Sequence, residues 1–376
     1  MMALPSENPI LAANLQFVLS RVSGFDMPVD SLRNALLGIA AVHTSFLAAR
    51  EGDAKTADDS VRLANAYRSQ SVCLLNKACL TTEGVQSDST IAATAAIALL
   101  DILSSGHSWA ANLDLVRTVV NARGGPAVIL ARSARPQIGT ISGVSRARLF
   151  LETVAMYELF GCIGTGQRPT VLQPDADGWW LQAANNGDDQ SHVDECFGIS
   201  RSLVPLLSRV VSVVCDVLEK YSDEAPCKHD GMHLMYNARV LYDALDSWSE
   251  PGTVHERITA GNCIYRSAAQ ILILRDVFGL TPADVAVQRL ANVVLSLAAD
   301  CGAQRLSVGL NWPMIIAGSQ VVGADRARVL DIFEYFRCLE TSAYVVSQVR
   351  KRMDISLPGA DWRSVMKDES IDVLIV

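Results

Sequence analysis

Apolar residues recur every three or four positions through most of this chain, and no sustained stretch alternates apolar and polar residues with a period of two. The first pattern is typical of amphipathic helices, whereas alternation would indicate strands. Glycines and prolines fall between the periodic segments, where they mark turns. In the segment from 55 to 80, the predicted buried face consists of Leu63, Tyr67, Ser71, Leu74, Leu75 and Ala78.

These segments predict an all-α protein, a large single bundle-like domain of about 11–13 helices that covers residues 1–376. The loops at 164–195 and 222–230 are candidate hinges. Only the last residues, IDVLIV at 371–376, have a composition that would suit a strand. We expect helices at about 8–22, 30–50, 55–80, 87–105, 109–122, 142–163, 196–221, 229–249, 252–278, 282–302, 312–321 and 324–353.

Composition and charge exclude several classes of protein. Half of the 376 residues are hydrophobic, so a sizeable core can form without disulfides or a metal. The net charge is −8, and the densest basic run is only Arg350-Lys351-Arg352, so we expect no direct nucleic-acid binding. The N-terminus, MMALPSENP, lacks the features of a signal peptide. The longest apolar runs are shorter than the ~20 residues of a membrane span, and no membrane association is expected.

The nine cysteines include no C-x-x-C pair, and most of them lie inside apolar helical segments. This usage is typical of reduced cysteines in an intracellular protein, in the nucleus or the cytoplasm. The spacing of Cys227, His229 and His233 is the nearest approach to a metal site. No fourth ligand follows it, and a structural zinc site would need one. We therefore expect a solvated loop there, with no metal and no cofactor.

The candidates for acid–base chemistry are Asp101, His107 and the adjacent pair Tyr157 and Glu158, which lie on or beside strongly apolar helices. A carboxylate in such a place needs a partner. For Asp101 the simplest partner is a helix-end arginine, Arg117 or Arg123. His107 follows a helix C-terminus, where a cation interacts favourably with the helix dipole. The chain has no G-x-S-x-G motif that would indicate a nucleophile. The nearest similar run, residues 161–166, follows a predicted helix, whereas a nucleophile elbow follows a strand.

The tryptophans stand mostly near helix ends or in loops. They could close helix ends against the core, or several of them could line one apolar cavity between helices, where bundles commonly hold ligands. The candidate ligand-binding residues are Trp109, Arg123, Trp179, Trp180 and Trp312.

One stretch near the end carries a resemblance to a known family. Residues 310–336 read LNWPMIIAGSQVVGADRARVLDIFEYF, which resembles the W-P-L-x-I-A-G-x-E…R signature of the fungal-specific transcription factor domain. Further segments resemble that family in the same order: NALLGIAAVHTSFL, AYRSQSVCLLNKAC, LLDILSSGHSWAANLDLVRTVVNARGG, YELFGCIGTGQRPTVL and ADWRSVMKDESIDVLIV. The residues of the signature agree with a buried helix, because Pro313 suits a first turn, Asn311 could cap it and Gly318 would allow close packing.

The resemblance implies an α-helical regulatory region, of the kind that follows a zinc binuclear cluster DNA-binding domain. The chain departs from the family where Asp101 replaces a glutamate and where Asn112 to Val116 replace H-L-x-G-A. No C-x2-C-x6-C run of a zinc cluster is present. Either the chain is an excised regulatory domain, or the natural protein never had a DNA-reading module.

Three functions remain open at the level of sequence. The first is a regulatory domain of a transcription-factor-like protein that responds to a small apolar metabolite or a protein partner and is linked to secondary metabolism. The second is an enzyme on the same scaffold, a cofactor-independent cyclase or isomerase with an apolar pocket, in which Asp101, His107 and Tyr157 would act. The third is a non-catalytic partner protein, a co-regulator or a homodimeric scaffold, that uses the apolar tail 371–376 in assembly.

Overall fold

The computed structural model describes residues 18–104, 109–133, 146–173, 177–181, 192–222, 228–250, 252, 255–304, 306, 308–322, 325–335, 340–354, 361–369 and 371. Within these ranges the protein is all-α, with no strand, as the sequence predicts. Of residues 371–376, whose composition would suit a strand, all but Ile371 lie outside the described residues.

Seventeen α-helices lie in the described part of the chain. The first nine are α1 (Met27–Glu51), α2 (Ala54–Cys79), α3 (Thr82–Gln86), α4 (Asp88–Leu103), α5 (Trp109–Ala122), α6 (Pro126–Ser133), α7 (Arg146–Thr165), α8 (Asp177–Leu181) and α9 (His192–Phe197). The others are α10 (Val204–Ser222), α11 (Lys228–Ser247), α12 (Glu256–Leu272), α13 (Val285–Gln304), α14 (Asn311–Gln320), α15 (Asp325–Tyr335), α16 (Glu340–Asp354) and α17 (Trp362–Asp368). A 3₁₀ turn, Arg201–Leu203, precedes α10, and a π turn, Ile273–Val277, continues α12.

The chain forms two compact units. The N-terminal unit comprises Leu4–Glu158 and Gly178–Asp189. The C-terminal unit comprises Leu159–Asp177 and Gln190–Val376, together with Met1–Ala3. Helix α7 contributes its first part to one unit and its last turns to the other. The organisation of the chain as one domain stays a prediction, and the candidate hinge at 164–195 contains two of the positions where the chain passes from one unit to the other.

In the N-terminal unit, α1 and α2 form an antiparallel hairpin against α4. The hydroxyl of Ser31 donates to the carbonyl oxygen of Ser71 at 2.8 Å, and the hydroxyl of Ser71 donates back to Ser31 at 2.7 Å. A Cβ added to Gly38 would lie 2.6 Å from a methyl of Leu100. Small residues therefore let these three helices approach closely.

The predicted buried face of α2 is partly wrong. Leu63 is 48% exposed. The buried residues of α2 are mostly small: Ala57, Ser60, Ala64, Ser71, Leu75 and Ala78. Close packing against α1 selects the face that carries small side chains, because a leucine there would hold the two backbones apart.

In the C-terminal unit, α12, α13 and α14 pack on one another, and α14 also contacts α16. Glycines in α12 and α14 allow two further close approaches. A Cβ on Gly261 in α12 would lie 1.8 Å from the carbonyl oxygen of Gly198. A Cβ on Gly318 in α14 would lie 3.2 Å from Val329 and 3.4 Å from Val346. The role predicted for Gly318 in close helix packing is thereby confirmed.

Several helix ends follow the sequence signals. Helix α5 ends where Arg123-Gly124-Gly125-Pro126 predicted a stop, and Gly124 and Gly125 have φ values of 91° and 87°. Pro126 then begins α6, a short helix that the pattern did not reveal. Helix α14 begins at Asn311 with Leu310 at the N-cap position, so the capping role predicted for Asn311 is wrong.

Two helices, α1 and α13, reach the length and mean hydropathy of membrane spans, at 1.3 and 1.2. Each packs against other helices of its unit, α1 against α2 and α4, and α13 against α12 and α14. Core helices of soluble proteins meet the same criterion, so neither helix is assigned to a membrane.

Candidate functional site

Four buried aromatic side chains meet in the C-terminal unit and form the cluster that we call the ring cluster: Phe160, Phe197, Tyr265 and Trp312. The rings of Tyr265 and Trp312 are stacked, with centroids 5.5 Å apart and an interplanar angle of 24°. The ring of Phe160 lies 5.9 Å from Tyr265 and 6.2 Å from Trp312. Phe197 contacts Phe160 edge to face at 5.8 Å.

Each ring is held by a different element. Phe160 lies near the end of α7, Phe197 is the last residue of α9, and Tyr265 lies in the middle of α12. Trp312 occupies the first turn of α14, where Pro313 fits because its missing N–H leaves no intrahelical bond unmade. The backbone N–H of Gly309 donates to the carbonyl oxygen of Phe197 at 3.2 Å. This bond ties the segment before α14 to the end of α9.

Two polar atoms of the ring cluster have no hydrogen-bond partner in the part of the chain that the structure describes. They are the hydroxyl of Tyr265 and the indole Nε1 of Trp312, and both atoms are buried. Tyr265 is 0% exposed and Trp312 is 2% exposed. Burial raises the pKa of the Tyr265 hydroxyl well above its usual value, so the phenol stays neutral. Buried polar side chains nearly always have partners, and two lone donors on one stacked pair of rings therefore need an explanation.

A polar network joins the π turn that follows α12 to α13 and to the end of α14. Arg275, in that turn, donates from Nε to Oε1 of Gln320 at 2.7 Å, and it also donates to the carbonyl oxygen of Leu280. Nε2 of Gln288 donates to the carbonyl oxygen of Gln320 at 2.7 Å. Burial lowers the pKa of the Arg275 guanidinium. The network therefore links α12, α13 and the C-terminal end of α14, whose first turn carries Trp312.

Asp101 is fully buried at the end of α4 in the N-terminal unit. Its Oδ1 accepts from Nε of Arg68, and its Oδ2 accepts from Nη2 of Arg68 at 3.0 Å and from Nδ2 of Asn112 at 2.5 Å. An ion pair with an arginine was predicted, but the expected partners, Arg117 and Arg123, were wrong. Because both oxygens accept hydrogen bonds from donors, Asp101 is a structural anchor between α2, α4 and α5.

Arg117 and Arg123 have other partners. Arg117 pairs with Asp114 at 2.7 Å and with the buried Glu158 at 2.6 Å. Arg123, a candidate ligand-binding residue, pairs with Asp88 at 2.6 Å and is almost fully buried. Its guanidinium thus joins the end of α5 to the start of α4.

The candidate tryptophans are divided between the two units. Trp179 and Trp180 lie in α8, in the N-terminal unit, with their rings edge to face at 5.4 Å. Nη2 of Arg148 donates to both of their carbonyl oxygens at 3.3 Å. Trp312 belongs to the ring cluster of the C-terminal unit. The structure therefore brings Trp179 and Trp180 together within one unit.

The structure describes only some of the remaining candidate site residues. Tyr157 is buried in α7. Trp109 is the first residue of α5, and its side chain lies outside the described part, as does the whole of His107. Cys227 also lies outside it, so the metal hypothesis for Cys227, His229 and His233 is not tested. Among the described residues, no group of three or more His, Cys, Asp or Glu side chains is placed to hold a metal ion.

Sequence reasoning missed three members of the ring cluster. Tyr265 falls on the repeating buried positions of α12, with Gly261, Ala268 and Leu272 at spacings of three and four. That period could have placed Tyr265 in the core. Its contact with Trp312, 47 positions later, depends on how α12 and α14 pack.

The family model of the fungal specific transcription factor domain matches residues 2–376. No curated protein matches the chain, and no solved structure matches it.

Proposed function

The chain belongs to the fungal specific transcription factor domain family, and from this premise we propose that it is a ligand-responsive regulatory module. A regulatory, transcription-factor-like role inside the cell follows from the family. The proposal adds that a small, largely apolar metabolite is the signal, that the protein acts in the nucleus and that the regulated genes serve secondary metabolism.

The observation that carries the proposal is the unpartnered pair of donors in the ring cluster. A fully buried hydroxyl or indole N–H without an acceptor costs about 1–3 kcal/mol. The rings around the pair supply the apolar walls that small-molecule sites commonly have. A ligand that satisfies both donors would recover that free energy only in the conformation that aligns them.

The polar network offers a route from ligand to response. Trp312 lies at the start of α14, and Gln320, at its end, is bonded to Arg275 and Gln288 on the two neighbouring helices. A ligand shifts a conformational equilibrium only by its difference in affinity between two states. A shift of α14 that seats a ligand on Trp312 would also change the contacts of Gln320, and this is the coupling that we propose.

The decisive experiment compares transcripts and metabolites in four strains: the wild type, a deletion of the gene, and alleles with Tyr265→Phe or Tyr236→Phe. Tyr236 is 68% exposed on α11, so its allele repeats the same chemical change outside the ring cluster. We expect the deletion to lose a set of transcripts. Tyr265→Phe should weaken the response to the inducing condition, whereas Tyr236→Phe should behave as the wild type.

An accumulated precursor with unchanged transcripts would contradict the regulatory proposal and indicate catalysis. The described residues offer no specific observation for the enzyme. Asp101, its first candidate acid, accepts hydrogen bonds at both oxygens from Arg68 and Asn112.

A further inference from the structure

We infer that the hydroxyl of Tyr265 and the indole N–H of Trp312 together form a subsite for a neutral oxygen acceptor, a carbonyl or ether oxygen, on an apolar small molecule. The inference rests on the proposed function and names the chemistry of its ligand. Among the described residues, neither the Tyr265 hydroxyl nor the Trp312 indole N–H has a hydrogen-bond partner.

The donor character of the two groups selects an acceptor. An indole N–H donates and cannot accept, and a phenol hydroxyl can donate one hydrogen bond. The two rings are stacked with their centroids 5.5 Å apart, and an oxygen with two lone pairs has the capacity to accept a hydrogen bond from each donor. A ligand that offered only donors could satisfy the Tyr265 hydroxyl but would leave the indole unpaired.

The surroundings favour a neutral ligand. Tyr265 is fully buried, and the same burial that raises the pKa of its hydroxyl would penalise a carboxylate placed beside it. Phe160 and Phe197 complete the ring cluster with apolar surface. A neutral carbonyl or ether oxygen loses much less hydration free energy on burial than an anion does.

Gly309 lies beside the hydroxyl of Tyr265. It is partly exposed, and a Cβ added to it would lie 2.9 Å from the hydroxyl oxygen of Tyr265. The backbone of Gly309 therefore lies beside the buried hydroxyl, and a side chain at this position would press on it. Gly309→Ala should therefore crowd the hydroxyl and hinder an incoming oxygen, while both donors remain in place.

The test is a titration of the purified chain, with its tryptophans labelled with ¹⁵N, followed by NMR. The six indole signals are assigned by substitution, with Trp312→Phe identifying the one of interest. Three probes of similar size are compared: acetophenone, which is neutral and carries an acceptor, ethylbenzene, which lacks the acceptor, and benzoate, which is charged. We expect acetophenone to shift the Trp312 indole signal, and ethylbenzene and benzoate to bind at least about fivefold more weakly.

Variants test whether acetophenone binds at this subsite. Tyr265→Phe keeps the ring and removes one donor, so acetophenone should bind it about fivefold more weakly, and Tyr236→Phe should leave binding unchanged. Gly309→Ala should weaken binding as well. Equal shifts with acetophenone and ethylbenzene would overturn the inference, and that comparison needs only the wild-type chain. So would a Trp312 indole that responds to none of the probes and shows an exchange peak with a bound water.

These outcomes are separate from those of the strain comparison. If the probes fail while the deletion still removes transcripts, the acceptor subsite is wrong and the regulatory role stands. If the probes bind as expected while transcripts are unchanged in the deletion strain, the subsite exists and the regulatory proposal is wrong.

Discussion

Arg68 in α2 forms a two-point ion pair with the carboxylate of Asp101 in α4, and the side chain of Asp101 has no exposed surface. The two residues are 33 positions apart, and Asn112 of α5 donates to the same carboxylate. The hydrogen bond to Asp101 raises the pKa of Arg68, so the guanidinium stays protonated at any ordinary pH. A buried carboxylate that is satisfied by two neighbouring helices fixes how those helices meet.

Removing the arginine should therefore be costly. In Arg68→Met the carboxylate of Asp101 loses its counter-charge while it stays buried, and we expect the free energy of unfolding to fall by about 2–4 kcal/mol. The control is Arg62→Met, on the same helix, where the pair with Asp59 is largely exposed. That change should cost less than about 1 kcal/mol. Urea denaturation measures both variants, and equal losses would show that Asp101 does not depend on Arg68.

The polar network at the end of α14 predicts that a change of glutamine to glutamate stabilises the protein at position 320 and destabilises it at position 288. In Gln320→Glu, Arg275 would donate to a carboxylate, and a charge-assisted bond should stabilise the protein by about 1 kcal/mol despite the lost bond to the carbonyl of Ile316. The signature that residues 310–336 resemble has glutamate at this position.

The matched control for Gln320→Glu is Gln288→Glu. The amide of Gln288 donates to the carbonyl oxygens of Pro282 and Gln320, at 2.6 and 2.7 Å. A carboxylate there loses both bonds and faces two carbonyl oxygens, so we expect a loss of about 2–3 kcal/mol. Thermal unfolding at neutral pH compares the two variants. Destabilisation of similar size in both would contradict the role assigned to Arg275.

Close backbone contact predicts a sharp difference between two glycines in helices. In Gly261→Ala the new methyl would meet the carbonyl oxygen of Gly198, and α12 would have to move. We expect a loss of about 3 kcal/mol or more. Gly231 in α11 has open space around it, and Gly231→Ala should stabilise the protein by about 0.5–1 kcal/mol. Circular dichroism during urea titration measures both, and a stable Gly261→Ala protein would exclude this contact.

Alkaline pH should weaken the fold through buried thiols. Burial raises the pKa of Cys215 from 9.0 to about 12, so the folded chain keeps its proton where the unfolded chain loses it. The contribution of this thiol to stability is complete below about pH 9 and declines as the pH rises towards 12. Between pH 8 and pH 10 the free energy of unfolding of the wild type should fall, and we expect this fall to be about 1 kcal/mol smaller in Cys215→Ala.

The control for this experiment is Cys73→Ala, because the Cys73 thiol is exposed. Its pH dependence should match that of the wild type. Urea denaturation at a series of pH values gives the slope for each protein. If the slope for Cys215→Ala equals that of the wild type, Cys215 ionises as readily in the folded chain as in the unfolded one.

The sequence by itself determined the helical class, most helix ends and the family. The period of apolar residues and the chemistry of Gly124, Gly125 and Pro313 are local, and they act whatever the rest of the chain does. The buried position of Asp101 and its need for an arginine also followed from its own helix.

Only the tertiary structure decided which residues meet. In the folded chain Asp101 pairs with Arg68, and Tyr265 stacks on Trp312. On α2, Leu63 is exposed to solvent whereas the small residues on the other face are buried. A helix sequence fixes which residues share a face, but the partner of that face is set by packing between segments that are distant along the chain. Close approach of two helices favours small side chains over the most apolar ones, and a local pattern cannot show where such an approach occurs.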